Sequence, residues 1–133
     1  ANLAAMAAGL PYTIAAQWAL PDRQCIAWVG SEGFAKLMAE FLTAARHRLP
    51  VKVVVSNTPP PRPPHQAGTS PPATADFALW ARACGGLGVR VERSDEVEAA
   101  VRAALDHPGP ALVDVVIDPD ELPEPVGGEL DPG

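Results

Sequence analysis

No apolar run in this chain approaches the roughly 20 residues that a membrane-spanning helix needs. Cysteine is scarce. Cys25 and Cys84 are the two in the sequence, with no Cys-x-x-Cys pair and no Cys/His spacing of the zinc type. That pattern makes a reduced, cytoplasmic setting the default expectation. Basic residues stop early: no Lys or Arg follows Arg102, while half of the 16 acids do. With a net charge of −6 and an acidic end, the surface repels nucleic acid and anionic lipid, so neither is expected as a partner. The start, Ala1-Asn2-Leu3, has no basic n-region and no initiator Met. It does not read as a signal peptide; it reads as a piece of something longer. The histidines, His47, His65 and His107, are scattered without ligand spacing, and Tyr12, Ser70 and Asp114 form no recognisable triad.

What is present fits one globular domain. A chain of 133 residues with 47% hydrophobic content can bury a core of its own. Pro11 suits the first turn of a helix, and the spacing of small residues predicts a helix over 11–19, packed closely on another surface. Cys25 to Val29 is a continuous apolar run, as expected of a strand buried on both faces of a parallel sheet. Gly30-Ser31-Glu32-Gly33 then forms a turn. Phe34, Leu37, Met38, Phe41, Leu42 and Ala45 follow at helical spacing, which predicts one helix to about His47. In this reading Ser31 is the N-cap and Glu32 sits in the first turn, so the helix fills its own N-terminus. Val51 to Val55 predicts a second buried strand, closed by Ser56-Asn57-Thr58.

The composition then changes. Seven prolines lie between Pro59 and Pro72 with no large apolar residue, so residues 57–75 read as an extended proline-rich loop. A surface linker is favoured over a ligand for a proline-binding adaptor. Asp76 to Gly85-Gly86 predicts a helix, Val89 to Glu92 a short strand, and Ser94 the cap of a helix carrying Val97, Val101 and Leu105. Ala111 to Ile117 predicts the last strand, and residues 118–133 a flexible acidic tail. Strands alternating with helices predict an α/β fold: a doubly wound parallel sheet of about four strands in a three-layer α/β/α arrangement. Ligands in such folds bind beyond the carboxyl ends of the strands. That selects the loops at 30–33 and 56–75, because Gly30 and Asn57 end successive strands.

At this point the sequence resembles a known family, the C-terminal thiamine-diphosphate-binding domain of the pyruvate oxidase and acetolactate synthase group. Met6-Ala7-Ala8-Gly9-Leu10-Pro11-Tyr12 is similar to that family's Met-Gly-x-Gly-Leu-Pro-x stretch. Pro21-Asp22-Arg23-Gln24, Leu49 to Val55, Asp76-Phe77 through Gly86, and Gly109 to Val115 match further segments in order. The family signature is Gly-Asp-Gly and, about two dozen residues on, Asn-Asn. The resemblance implies that the Asp and the second Asn ligate Mg²⁺, which holds the cofactor's diphosphate; oxygen ligands including carboxylates are what Mg²⁺ needs. Here Gly30, Ser31 and Glu32 align with Gly-Asp-Gly, and Asn57 and Thr58 with Asn-Asn.

The resemblance therefore implies that Met6, Gly9, Gly30, Ser31, Glu32, Gly33, Phe34 and Asn57 border the cofactor, with Ser31, Asn57 and Thr58 at the metal positions. Met6 has an equally good reading as plain core. A carboxylate from Glu32 swinging round to a metal is the minority reading of that residue. The family's domain begins with a further strand and helix upstream of Met6, and the glutamate that activates the cofactor sits in a separate domain contributed by a partner subunit. The expectation is a thiamine-diphosphate-binding domain of a 2-keto-acid decarboxylating enzyme, not catalytic alone and with impaired Mg²⁺ and diphosphate binding. A homo-oligomer or a partner subunit is expected. The alternatives are a subunit of a split enzyme, a non-catalytic interaction module, and a remnant without selected function.

Overall fold

A computed structural model describes residues 7–59 and 74–118. Met6, residues 60–73 of the proline-rich loop and residues 119–133 of the tail lie outside them. The described residues form four strands, β1 (Ile26–Gly30), β2 (Lys52–Asn57), β3 (Leu87–Val91) and β4 (Ala111–Val116). Five helices accompany them: α1 (Gly9–Ala19), α2 (Ser31–Leu37), α3 (Glu40–Arg46), α4 (Phe77–Ala83) and α5 (Val97–Asp106). All strand pairs are parallel, in the order β1-β2-β4-β3. The three-layer α/β/α arrangement is as the sequence implies.

The order of strands decides which face each helix covers. Steps from β1 to β2 and from β2 to β3 run one way across the sheet; the step from β3 to β4 runs back. A right-handed crossover that reverses direction must change face. Accordingly α1 to α4 cover one face, where Leu10, Phe34, Phe41 and Phe77 pack on Ala27, Val53, Val55 and Leu112. On the other face α5 alone packs, its Ala100 and Ala104 against Val91, Ala111 and Val113. Its contacts concentrate on β3 and β4.

This topology corrects one expectation. The first strand is not buried on both faces. Ile26 and Trp28 are 53% and 77% exposed, because α5 lies over the far half of the sheet and β1 is its edge. Trp28 Nε1 donates to Ser56 Oγ across that open face at 2.8 Å.

The single helix expected to run to His47 is two. Between α2 and α3, Phe41 and Leu42 donate to Met38 and Ala39, three residues back rather than four. The backbone tightens there into a 3-10 turn. The Met38 carbonyl also receives the Trp80 indole N–H at 3.1 Å, so the irregular turn is tied to α4. Helix α3 ends with Arg48 at φ 53° and α4 with Gly85 at φ 87°. In both, the next residue's N–H reaches back to the last turn (Leu49 to Ala44, Gly86 to Ala81), a Schellman closure.

Two further expectations change. Ser94 opens a 3-10 turn, Ser94–Glu96, whose N-cap is Arg93, and α5 begins only at Val97 without a side-chain cap. The hydroxyl has no capping role there, and Asp95 is bound by Arg93 instead. The strand expected at 89–92 runs from Leu87 to Val91, drawn back by the Leu87 N–H bonding to the Pro110 carbonyl. At the same end of the sheet, Gln17 joins α1 to β1 by donating to Arg23 O and accepting from Cys25 N.

Candidate functional site

The two loops singled out by the sequence leave adjacent strands in register. Gly30 stands opposite Ser56, so Ser31 and Asn57 are the next residues after that pair. Glycine ends β1 and caps α2 in an extended conformation (φ −76°, ψ 154°), with no side-chain cap bond. Ser31 is thus the first residue of α2 and not its N-cap, which corrects that expectation. Its hydroxyl closes no helix N–H because the residue has already entered the helical conformation. Glu32 is exposed in the first turn, where a carboxylate favours the helix dipole, and Gly33 follows half-buried.

Gly9 lies beside this turn. A Cβ there would come within 2.4 Å of Val29 Cγ1, so the missing side chain lets α1 press onto the end of β1. Phe34 is 2% exposed and meets Phe77 edge-on at 5.1 Å; its side chain belongs to the core. A Cβ on Gly30 would meet nothing within 4 Å, so the strand end is open.

The end of β2 is closed. Asn57 is 2% exposed, and its Nδ2 donates to Ala75 O at 2.8 Å and to Asp114 Oδ1 at 2.7 Å. Asp114, fully buried on β4, accepts from Phe77 N with Oδ2 at 3.0 Å and from Arg90 Nη1 at 2.9 Å. Arg90 also donates to Thr74 Oγ1 and to Ala75 O. Burial opposes the charge on Arg90, but hydrogen bonds and attraction from Glu92 and Asp114 outweigh it and hold the guanidinium above its ordinary pKa. The return of the chain at 74–77 is therefore fastened to three strands. Thr58, next along, is exposed.

The structure thus brings Gly9, Gly30, Ser31, Glu32 and Gly33 to one strand end and Asn57 and Thr58 to its neighbour. It takes the Phe34 side chain away into the core. Sequence reading named Asp114 only as part of no triad, and missed Arg90. The signal was there: one acid inside the otherwise apolar run Ala111–Val116 must be buried with partners. At the opposite, amino-terminal end of β2 Lys52 is buried too, its Nζ donating to the carbonyls of His107 and Gly109, and burial pushes its pKa below the ordinary lysine value. Cys25 and Cys84 are free thiols. Among the described residues, no three His, Cys, Asp or Glu side chains gather as a metal site, and no helix is long and apolar enough to cross a membrane.

Comparison with known proteins bears on these two strand ends. Residues 1–58 and 61–115 match the family described as "Thiamine pyrophosphate enzyme, C-terminal TPP binding domain". The chain is 33% identical over 128 residues to a 2-hydroxyacyl-CoA lyase of Oryza sativa subsp. japonica, covering 86% of this chain and 22% of that protein. It is 30% identical over 134 residues to the acetolactate synthase large subunit of Pyropia yezoensis, covering 91% and 22%. Among solved structures, a thiamine diphosphate-dependent 4-hydroxybenzoylformate decarboxylase of Rhodococcus jostii RHA1 superposes with a TM-score of 0.70 at 27% identity, over 86% of this chain and 23% of the other. The chain spans under a quarter of the length of each of these proteins.

Proposed function

The chain belongs to the family of C-terminal thiamine-pyrophosphate-binding domains of thiamine pyrophosphate enzymes, and from that premise we propose that it is the cofactor-domain homologue of a 2-keto-acid decarboxylating enzyme. The pyruvate oxidase and acetolactate synthase type is the proposed class. The solved neighbour's substrate, 4-hydroxybenzoylformate, is a 2-keto acid, which supports the substrate class. The domain is not catalytic alone and holds Mg²⁺ and diphosphate poorly. A cytoplasmic setting and either a homo-oligomer or a partner subunit carrying the activating glutamate complete the proposal.

The observation that carries the impaired-site reading is the donor set. Ser31 and Thr58 offer neutral hydroxyls where the family motif has Asp and Asn. Asn57 is almost fully buried and is neutral, so it adds no anionic ligand. Mg²⁺ is demanding about geometry and takes carboxylate oxygens. The carboxylate nearest the motif, Glu32, stands where the family has a bare glycine backbone, and it repels a diphosphate. These residues do not fit the metal, so no chemical step is assigned to it here.

Titration calorimetry of the chain with thiamine diphosphate and Mg²⁺ tests the reading. The expected result is no binding at micromolar concentrations; micromolar affinity would overturn it. A second reading, a subunit or interaction module that docks on a partner, is favoured by the bare face of β1 with Ile26 and Trp28. Co-purification of a partner that carries the activating glutamate would support it, and a monodisperse monomer on size exclusion would count against it.

A further inference from the structure

The turn from α5 to β4, His107-Pro108-Gly109-Pro110, lies at the amino-terminal ends of the strands, away from Gly30 and Asn57. Pro108 disfavours the helical conformation at the residue before it, so α5 stops and His107 is extended (φ −70°, ψ 131°). The turn is then held in two ways. Lys52 on β2, 2% exposed, donates its ammonium to the carbonyls of His107 and Gly109. The Gly109 N–H donates to His107 Nδ1 at 3.1 Å and closes the turn on itself. A backbone N–H can only donate, so Nδ1 must carry no proton, and the proton of the neutral ring sits on Nε2. The tautomer of His107 is thus fixed by chemistry.

We propose that His107 is an acid-sensitive catch on this turn. The neutral ring accepts from Gly109; the protonated ring carries an N–H on both nitrogens and cannot. Protonation also puts a second positive charge on a turn whose carbonyls already hold the Lys52 ammonium. The acidic neighbour is Asp106, exposed at the end of α5. The remaining contacts from packed segments are uncharged: Gln24 Nε2 on the Leu105 carbonyl, and the Leu87 N–H of β3 on the Pro110 carbonyl. The sign follows from which form bonds. The catch is closed while the ring is neutral and opens as pH falls through the histidine range, roughly pH 8 to 5. The bond from Ala111 N–H to the Val51 carbonyl involves no titrating group, so the start of β4 stays paired while the turn before it loosens.

NMR on the full chain tests this. At about pH 8 the imidazole ¹⁵N shifts of His107 should show Nδ1 bare and Nε2 protonated. On acidification the protection of Gly109 N–H from hydrogen exchange, scaled to the free-peptide rate at each pH, should fall about fivefold in step with protonation of that ring. The substitution His107→Asn puts an amide oxygen where the ring nitrogen was. Asparagine accepts from the N–H two residues on and does not titrate, so Gly109 protection in this variant should stay within about twofold over the same range. An Nδ1-protonated ring at neutral pH would overturn the proposal. So would Gly109 protection that holds while the wild-type ring protonates, or the same acid step in His107→Asn, which would place its origin in another group. If the variant does not fold, the tautomer and the wild-type acid step still decide.

Discussion

The ends of β1 and β2 lie side by side and are finished in opposite ways. At β1 the chain turns on Gly30, with open space around its Cα, an uncapped helix start and an exposed Glu32. At β2 the chain ends in Asn57, buried and bonded to the returning segment and to Asp114. The open end has geometry for a ligand without strong ligating groups. The closed end has strong polar groups, already partnered. The lesson is that a strand–turn–helix shape and the means to hold a charged ligand are separate properties, and the proposed reading is that these strand ends keep the first.

The contrast can be broken from its strongest side. Asp114→Ala removes the acceptor from Asn57, Phe77 N–H and Arg90 together. Leaving a buried partner set uncompensated costs about 3–5 kcal/mol, read by urea denaturation, and only a small change would show that the network contributes little. Gly88→Ala is next. A Cβ there would lie 2.0 Å from the Ala78 carbonyl oxygen, so α4 must lift from β3. The expected loss is about 1–3 kcal/mol by the same measurement. Asp76→Ala deletes the cap that accepts from Leu79 N–H and should cost about 1 kcal/mol in thermal or chemical unfolding. At the open end the effects should be smallest. Gly30→Ala and Ser31→Ala are each expected to stay within about 0.5 kcal/mol, since no contact and no cap bond is lost. A larger cost at Ser31 would mean that its hydroxyl supports the helix after all.

Much of the fold was legible because it follows from local pattern. The alternation of apolar runs with helical stripes gave four parallel strands, and Gly85 with positive φ closes α4 where the glycine pair stands. What was not legible depends on order across the sheet. Nothing local in Cys25 to Val29 says that β1 is an edge; that depends on every later described strand adding on the β2 side of it. The break between α2 and α3 was hidden because it is stabilised from outside, by Trp80 on the Met38 carbonyl. The site was half legible. Gly30 and Asn57 were found from strand ends. The commitment of Asn57 was not, because its partners lie 18 and 57 residues away in sequence.

The proposed impairment is tested most directly by restoring the motif. The triple variant Ser31→Asp, Glu32→Gly and Thr58→Asn should be titrated beside the wild type with thiamine diphosphate and Mg²⁺ by calorimetry. The expected result is an affinity gain of roughly tenfold to a hundredfold over the wild type. Equal affinity in the two folded chains would contradict the assignment of the defect to Ser31, Glu32 and Thr58.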